Sequence, residues 1–181
     1  MGVFSTNYQV IYADPPWCYK DNCNAGKRGA SHKYQTMTLS ELRSEDYFIR
    51  ALTEYSKHCT LFMWATWPLI NDAMELIKAW EFEYKTIGFI WIKLNKNKPT
   101  PFMGMGNWTR SNSEPCLIAT KGKPKRISAS VHSVIQSPIR RHSQKPDEVR
   151  NGIVKLMGDV PRIELFARQR FEGWDAWGIE A

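Results

Sequence analysis

The sequence predicts an α/β fold, because strand-like and helix-like segments alternate along the chain. Residues 10–13 and 60–65 are continuously apolar, as strands are in a sheet that helices cover on both faces. Residues 69–80 and 149–156 instead place their apolar side chains at helical spacing. The length of 181 residues suits one domain. We therefore expect a single domain over residues 1–181, a three-layer sandwich around a mixed, mostly parallel sheet.

The first half of the chain gives two strands and two helices. After the strand at residues 10–13, a glycine-rich loop is expected over residues 20–34. Thr38 and Glu41 form a T-x-x-E capping box, which predicts a helix ending near Lys57. The second strand, residues 60–65, precedes a helix with Pro68 in its first turn, where proline is tolerated.

The second half gives three more strands, at residues 86–92, 115–120 and 162–167. A helix that opens at Pro146 and stops at Gly158 is expected before the last of them. Two long loops, residues 94–114 and 121–145, separate these elements. Loops of this length inside a compact domain are usually functional or disordered. We therefore expect them to be substrate-binding insertions.

Positive charge is concentrated in one part of the sequence. The chain carries a formal net charge of +7. Between residues 93 and 145 the only acid is Glu114, against eleven basic residues: Lys93, Lys96, Lys98, Arg110, Lys121, Lys123, Lys125, Arg126, Arg140, Arg141 and Lys145. A polyanionic partner such as nucleic acid is the natural inference. A merely solvated basic surface is the alternative.

Other classes of protein fit the sequence poorly. The sequence contains no apolar run of 18 residues, so it predicts no membrane span. The N-terminus lacks the pattern of a signal peptide. The four cysteines form no CxxC pair, so we expect reduced thiols and no metal site. We expect a cytoplasmic protein without a membrane partner, either a monomer or a homodimer.

The most informative segment is Asp14, Pro15, Pro16 and Trp17, directly after the first strand. The prolines end the strand and hold the residue before them extended. This arrangement fixes the Asp14 carboxylate, the Pro15 carbonyl and the Trp17 ring at the carboxyl edge of the sheet, where open α/β sheets bind ligands. We expect the two oxygens to accept hydrogen bonds from an exocyclic amine, and the Trp17 ring to lie outside the core and stack on a flat base. The alternative is an ordinary turn with a packed aromatic residue.

With these motifs in place, the chain resembles the MT-A70-like adenine-N6 methyltransferases, which use S-adenosyl-L-methionine. The resemblance rests on Asp14 to Trp17 and on residues 110–114, 142–146 and 163–168. The ending at residues 173–178, Gly-Trp-Asp-x-Trp-Gly, is similar to the bacterial and phage branch. The resemblance implies a Rossmann-like methyltransferase fold that is circularly permuted, with the catalytic strand before the cofactor strand.

The resemblance also implies roles for individual residues. Asp14, Pro15, Pro16 and Trp17 would be catalytic. The cofactor would be held by Asp14, Lys145, Glu164, Leu165, Phe166, Arg168 and Gly178. The substrate would be held by Trp17, Tyr19, Lys20, Lys93, Arg110, Asn112, Lys121, Lys123, Lys125 and Arg126. For the basic residues of the two long loops, this assignment rests on their concentration of charge more than on the resemblance.

Four functions remain open at this point. The first is methylation of adenine N6 in DNA with short or lax sequence specificity. The others are the same reaction on RNA, methylation of the N4 amine of cytosine, and a catalytically silent subunit that binds nucleic acid. The intact Asp-Pro-Pro-Trp segment favours an enzyme, since by resemblance the silent subunits have lost it.

Overall fold

The computed structural model describes residues 7–18, 36–44, 46–54, 56–106, 108–141 and 143–178. The glycine-rich loop expected at residues 20–34 lies outside them. The helices are α1 (Leu39–Ser44), α2 (Asp46–Leu52), α3 (Ile70–Ala79) and α4 (Asp147–Met157). The strands are β1 (Val10–Ala13), β2 (Cys59–Trp64), β3 (Glu83–Asn95), β4 (Lys98–Pro101), β5 (Ser113–Lys121), β6 (Val134–Pro138), β7 (Arg162–Leu165) and β8 (Asp175–Trp177).

The described strands form one mixed sheet in the order β4-β3-β5-β2-β1-β7-β8, with β6 paired to β3. Strand β1 lies between β2 and β7 and is parallel to both. The pairs β7–β8 and β3–β6 are also parallel. Strand β5 runs antiparallel to β2 and β3, and β4 runs antiparallel to β3. The predicted mixed, mostly parallel α/β fold is confirmed, while the circular permutation stays a prediction.

Helices cover both faces of the sheet, because apolar side chains alternate along the central strands. In β1, Ile11 and Ala13 join the cluster formed with α1, α2 and α3. Val10 and Tyr12 point the other way, into a cluster with Val149 and Ile153 of α4. The central strands are therefore buried on both sides, and the three layers that their continuous apolar runs predict are present.

The capping box behaves as predicted. The Thr38 backbone N–H donates to Glu41 Oε2 at 2.7 Å, and the Glu41 N–H donates to Thr38 Oγ1 at 3.3 Å. The long helix expected after it is instead two short helices, α1 and α2. At the end of α1 the Ser44 hydroxyl donates to the Glu41 carbonyl at 2.6 Å. Such a local side-chain bond competes with the helical backbone pattern.

Two short strands occur inside the loops that were expected to be irregular. Strand β4 has the sequence Lys-Pro-Thr-Pro, and all of its residues are exposed. Prolines and lysines are typical of edge strands, which carry no apolar pattern to detect. Strand β6 is also mostly exposed and pairs only along Ile90 to Leu94 of β3. Both strands extend the sheet beyond β3. Strand β4 is exposed throughout, whereas Ile135 of β6 packs, partly buried, against the core.

Candidate active site

The candidate site lies at the edge where the parallel strands β1, β2 and β7 end. Asp14 follows β1, and its backbone N–H donates to the Leu165 carbonyl at the end of β7, at 3.5 Å. Strand β5 starts at the same edge, since the Ala65 N–H donates to the Pro115 carbonyl at 3.0 Å. The edge therefore collects one segment from each of four adjacent strands.

A chain of alternating charges lies along this edge. The Lys145 ammonium is 2.8 Å from the Asp14 carboxylate and 3.6 Å from Glu114 Oε2. Glu114 also accepts a hydrogen bond from Lys93 Nζ. The Lys145 side chain is only 7% exposed, and the Asp14 side chain 22%. Charges this far from water need partners, so each member of the chain fixes its neighbours.

The two carboxylates in this chain of charges, Asp14 and Glu114, differ in basicity. Burial raises the pKa of Asp14, and the adjacent Lys145 offsets that rise only in part. Burial also acts to raise the pKa of Glu114, but Lys145 and Lys93 outweigh it and hold this pKa below its usual range. Asp14 is thus the more basic of the two carboxylates and the better acceptor for a proton-bearing ligand.

The turn at residues 15–17 is fixed by hydrogen bonds to its surroundings. The Trp17 backbone N–H donates to the Pro15 carbonyl at 2.8 Å, and Met37 N–H donates to the Pro16 carbonyl at 2.8 Å. The Trp17 indole N–H donates to the Trp64 carbonyl at the end of β2, at 3.0 Å. The Asp-Pro-Pro-Trp segment is therefore tied to the strand next to β1.

The expectation that the Trp17 ring lies outside the core is wrong. Its side chain is 6% exposed and packs in the apolar cluster below α1, α2 and α3. The ring is large and apolar, and its single polar atom finds an acceptor in the Trp64 carbonyl, so burial is favourable. Stacking of this ring on a substrate base stays a prediction, and the observed contribution of Trp17 is to hold the turn.

At the end of β7, Glu164 is held in a buried ion pair. Arg150 of α4 donates to both of its carboxylate oxygens, at 2.7 and 2.6 Å. The Arg150 guanidinium also lies 3.7 Å from the centre of the Phe171 ring. Burial raises the pKa of Glu164 although Arg150 opposes the rise. The predicted cofactor role of Glu164 stays a prediction, and Leu165 beside it is fully buried in the core.

The backbone turns sharply after β7. Phe166 has a φ of 58°, which is uncommon for a residue with a large side chain, and such outliers cluster at functional sites. Its ring packs edge-on against Trp177 of β8 at 5.3 Å. A Cβ on Gly178 would lie 2.2 Å from the Ala167 carbonyl oxygen, so only glycine permits this approach. Arg168 is exposed next to this turn. Burial raises the pKa of Asp14, and the charge of Arg168 acts against that rise.

The structure divides the predicted substrate-binding residues into two groups. Arg110 is exposed and Asn112 half-buried on the segment that leads into β5, at the same edge as Asp14 and Lys93. The basic group at the far end of β5 lies elsewhere, because β5 ends where β2 begins, with Lys121 opposite Cys59. This second group comprises Lys121, Lys123, Lys125 and Arg126. Tyr19 and Lys20 lie outside the described residues.

The separation of the basic residues changes the prediction for the loop at residues 121–145. Along β5, Lys121 lies five residues from Cys116, which pairs with the last residue of β2. We call the edge at which β1, β2 and β7 end, next to Asp14, the catalytic edge. At about 3.3 Å per residue, the far group is roughly 16 Å from it. The two long loops therefore do not form one continuous surface around Asp14, although the second one returns to it at Lys145.

Sequence reasoning left two structural residues unassigned. Glu114 was noted as the single acid of the basic stretch and as part of the matching segment 110–114, but no partner or role was assigned to it. Arg150 gave no signal, because it lies on α4 among ordinary surface-type residues, yet it is 9% exposed. Only the packing of α4 against β7 reveals that Arg150 neutralises Glu164.

Comparison with known proteins decides the family. The sequence profile of the MT-A70 family matches residues 8–180. The chain belongs to the MT-A70 family. The type II methyltransferase M.MunI of a Mycoplasma species is 38% identical, over 96% of this chain and 77% of that protein. This membership confirms the predicted class of enzyme, an adenine-N6 methyltransferase.

Eukaryotic relatives are more distant and much longer. The human N(6)-adenosine-methyltransferase catalytic subunit METTL3 is 28% identical, over 89% of this chain and 26% of its own length. A putative N(6)-adenosine-methyltransferase MT-A70-like protein of Medicago truncatula is 30% identical, over 94% of this chain and 26% of its own length. The MT-A70 enzyme described here thus spans about a quarter of these relatives. None of its described helices is long and apolar enough to cross a membrane.

Proposed function

We propose that this enzyme transfers a methyl group from S-adenosyl-L-methionine to the N6 amine of adenine in DNA. The observation that carries the proposal is the Asp14 carboxylate at the carboxyl end of β1, 2.8 Å from the ammonium of the buried Lys145. Lys145 fixes its position, and the Asp-Pro-Pro-Trp turn places the Pro15 carbonyl next to it in sequence.

The donor set at this edge fits the proposed cofactor. S-adenosyl-L-methionine is a zwitterion that also carries a sulfonium charge and two ribose hydroxyls. The edge offers the cations Lys145 and Arg168 for acceptor groups, and Asp14 for donors or positive charge. We infer that Lys145 and Arg168 hold the carboxylate and the ribose, while the turn at Phe166 and Gly178 forms the wall. When bound, the cofactor supplies a methyl group that its sulfonium already activates.

The task of the protein is then to orient and polarise the amine. The lone pair of an adenine amine is delocalised into the ring, which makes the nitrogen a weak nucleophile. Asp14 and the Pro15 carbonyl accept the two amine hydrogens, which draws the nitrogen toward a tetrahedral shape and frees the lone pair. The Pro15 oxygen accepts the Trp17 N–H and keeps its second lone pair for this purpose. Orientation of the reactants contributes several kcal/mol in such sites.

The raised pKa of Asp14 also gives the departing proton an acceptor. Methyl transfer leaves a positive charge on the amine, which loses one hydrogen to become neutral. A carboxylate that burial has made more basic accepts this proton more readily than an exposed one. Burial raises this pKa, and the charge and hydrogen bond of Lys145 act against that rise.

DNA is the favoured substrate because the type II methyltransferase M.MunI is 38% identical to this chain, against 30% and 28% for the two relatives named N(6)-adenosine-methyltransferases. We propose short or lax sequence specificity, carried by basic residues near the catalytic edge. RNA is the second candidate. The relatives named N(6)-adenosine-methyltransferases favour it, since adenosine is the ribonucleoside.

One experiment tests the reaction and the substrate together. The purified protein is incubated with methyl-labelled S-adenosyl-L-methionine and equal amounts of mixed-sequence DNA and RNA, and the nucleosides are then analysed by mass spectrometry. The proposal predicts labelled N6-methyldeoxyadenosine. Label in N6-methyladenosine alone would move the substrate to RNA, and label in N4-methyldeoxycytidine would contradict the proposed base.

A further inference from the structure

The segment between β4 and β5 carries an exposed apolar cluster next to the candidate active site. We call residues 102–106 and 108–112 the finger. Within it, Met103 is 71% exposed, Met105 81% and Trp108 100%. Large apolar side chains grouped on a surface mark a site of interaction, whereas single exposed ones need no explanation.

The finger is a packed unit in which two backbone stretches touch. A Cβ on Gly104 would lie 1.8 Å from the Ser111 carbonyl oxygen, and one on Gly106 would lie 2.1 Å from the Thr109 carbonyl oxygen. The Ser111 N–H donates to the Thr109 carbonyl at 2.9 Å. These two glycines let the outgoing and returning backbone meet, and Trp108 is fully exposed on the returning stretch.

The base of the finger is fixed to the charge chain of the active site. Phe102 N–H donates to the Lys93 carbonyl at 2.8 Å, and Lys93 N–H donates to the Asn112 carbonyl at 2.8 Å. The Lys93 side chain pairs with Glu114, which lies beside the Lys145 that holds Asp14. Strands β3 and β5 thus place the finger at the catalytic edge.

The charges around the finger indicate what it contacts. The cations Lys96, Lys98 and Arg110 lie on or beside it, and the sequence has no acid between Asn95 and Ser113. An apolar tip flanked by cations matches stacked bases flanked by phosphates. A protein surface would need a second apolar patch with acids around it, so nucleic acid is the better partner for this combination.

We propose that the finger inserts Trp108 into the base stack of a DNA duplex, at the place vacated when the target adenine turns out toward Asp14. This inference rests on the proposed function. A base inside a duplex is out of reach of an enzyme that must surround its amine, so the base has to be extruded. Apolar side chains that wedge between base steps stabilise such unstacked DNA. Trp108 offers a full aromatic face for this purpose, whereas Trp17 is buried.

The test compares Trp108→Ala with Trp108→Phe and with Ile127→Ala as the control. Ile127 is 73% exposed and follows the basic group at the opposite edge of the sheet, so its loss should change nothing. Initial methylation rates are measured on a mixed-sequence DNA duplex and on its separated strands, at the same concentration of S-adenosyl-L-methionine. For Trp108→Ala we expect a fall of roughly tenfold or more on the duplex and less than about twofold on the single strands. Trp108→Phe should keep most of the duplex rate.

A third substrate, a mismatched duplex, tests whether the effect of Trp108 depends on the free energy needed to extrude the adenine. In a duplex whose adenines face bases that cannot pair with them, turning the adenine out is easier. The deficit of Trp108→Ala should therefore become smaller on this mismatched duplex. An equal deficit on all three substrates would overturn the proposal, since the ring would then contact the target strand directly.

Three other outcomes also overturn it. The first is a duplex rate of Trp108→Ala equal to that of the parent. The second is a parent enzyme that methylates single strands but not duplexes, because no base is then extruded from a duplex. The third is a dimer, measured by sedimentation, that Trp108→Ala dissociates with equal loss on every substrate. If the parent methylates no nucleic acid at all, the proposed function itself fails, and this result is distinct from the others.

Discussion

At the scale of single residues, the pair of Asp14 and Lys145 determines how the enzyme should respond to pH. Burial raises the pKa of Asp14, and Lys145 acts to lower it. In the proposed mechanism Asp14 accepts the amine hydrogens only when ionised, so activity should fall as pH falls through this pKa. The acid limb of the profile of kcat/KM should therefore lie above the range of an ordinary aspartate.

Lys145→Gln removes the charge that lowers the pKa of Asp14. The acid limb should then move to higher pH, in addition to any loss of rate from weaker cofactor binding. Lys155→Gln, on the exposed side of α4, is the matched control and should leave the limb in place. The assignment of the acid limb to Asp14 is contradicted if Lys145→Gln, like the control, keeps its acid limb at the pH of the parent.

Residue roles at this site were only partly predictable. The sequence identified Asp14 and Lys145 as separate site residues, but they are 131 positions apart and nothing in the sequence shows that they form one ion pair. The partnership of Glu164 with Arg150 was equally hidden. The type of a residue can suggest a functional role. Its ion-pair partner depends on which helices and strands pack together, and the sequence does not show that.

At the scale of elements, the turn at residues 15–17 is a structural joint between β1 and β2. Trp17 is 6% exposed, and its indole N–H is satisfied by the Trp64 carbonyl. Trp17→Ala should lower the free energy of unfolding by about 3–5 kcal/mol, because it opens a cavity and leaves that carbonyl without its donor. Denaturant unfolding measures this change.

A second tryptophan substitution, Trp67→Ala, separates the effect of burial from the effect of losing an indole hydrogen bond. Trp67→Ala removes an exposed tryptophan that also donates to a side chain, Ser113, at the same edge. It should lower the free energy of unfolding by no more than about 1 kcal/mol. If the two variants lose the same free energy of unfolding, the buried position of Trp17 is wrong. A stacking role for Trp17 is then the better explanation.

Elements were predicted best where burial imposes a pattern. Strand β1 has the bounds that its apolar run predicts, and β2 differs by one residue at each end. Strands β4 and β6 were missed because they are mostly exposed and have no continuous apolar run. The burial of Trp17 was missed because a segment that leaves the sheet gives no periodicity from which the inward direction of a side chain can be deduced.

At the scale of the whole molecule, the positive charge lies at two edges of the sheet. The catalytic edge carries Lys96, Lys98 and Arg110 around the finger. The opposite edge carries Lys123, Lys125 and Arg126 beyond the end of β5. A duplex that presents an adenine to Asp14 meets the catalytic edge first, so the first group should contribute more to DNA binding.

Charge reversal of each group of three to Glu tests this division. For the catalytic-edge variant, the slope of log affinity against log salt should flatten by about 0.9 for each phosphate that the variant no longer neutralises. The opposite-edge variant has the same change in charge and should flatten the slope less. Equal effects of the two variants would mean that binding follows net charge and not the position of the site.

The measurement that tests the central claim most directly is the formation of N6-methyladenine by Asp14→Asn. The substitution keeps the shape of the side chain and removes the charge that accepts the amine hydrogens. Asp159→Asn, an exposed carboxylate that pairs with Arg162, is the matched control. Nucleoside mass spectrometry on DNA should show a loss of roughly a hundredfold or more for Asp14→Asn, with a folded protein by circular dichroism, and no loss for Asp159→Asn. A folded Asp14→Asn protein that forms N6-methyladenine at the parental rate would contradict the assignment of the active site to the edge of β1.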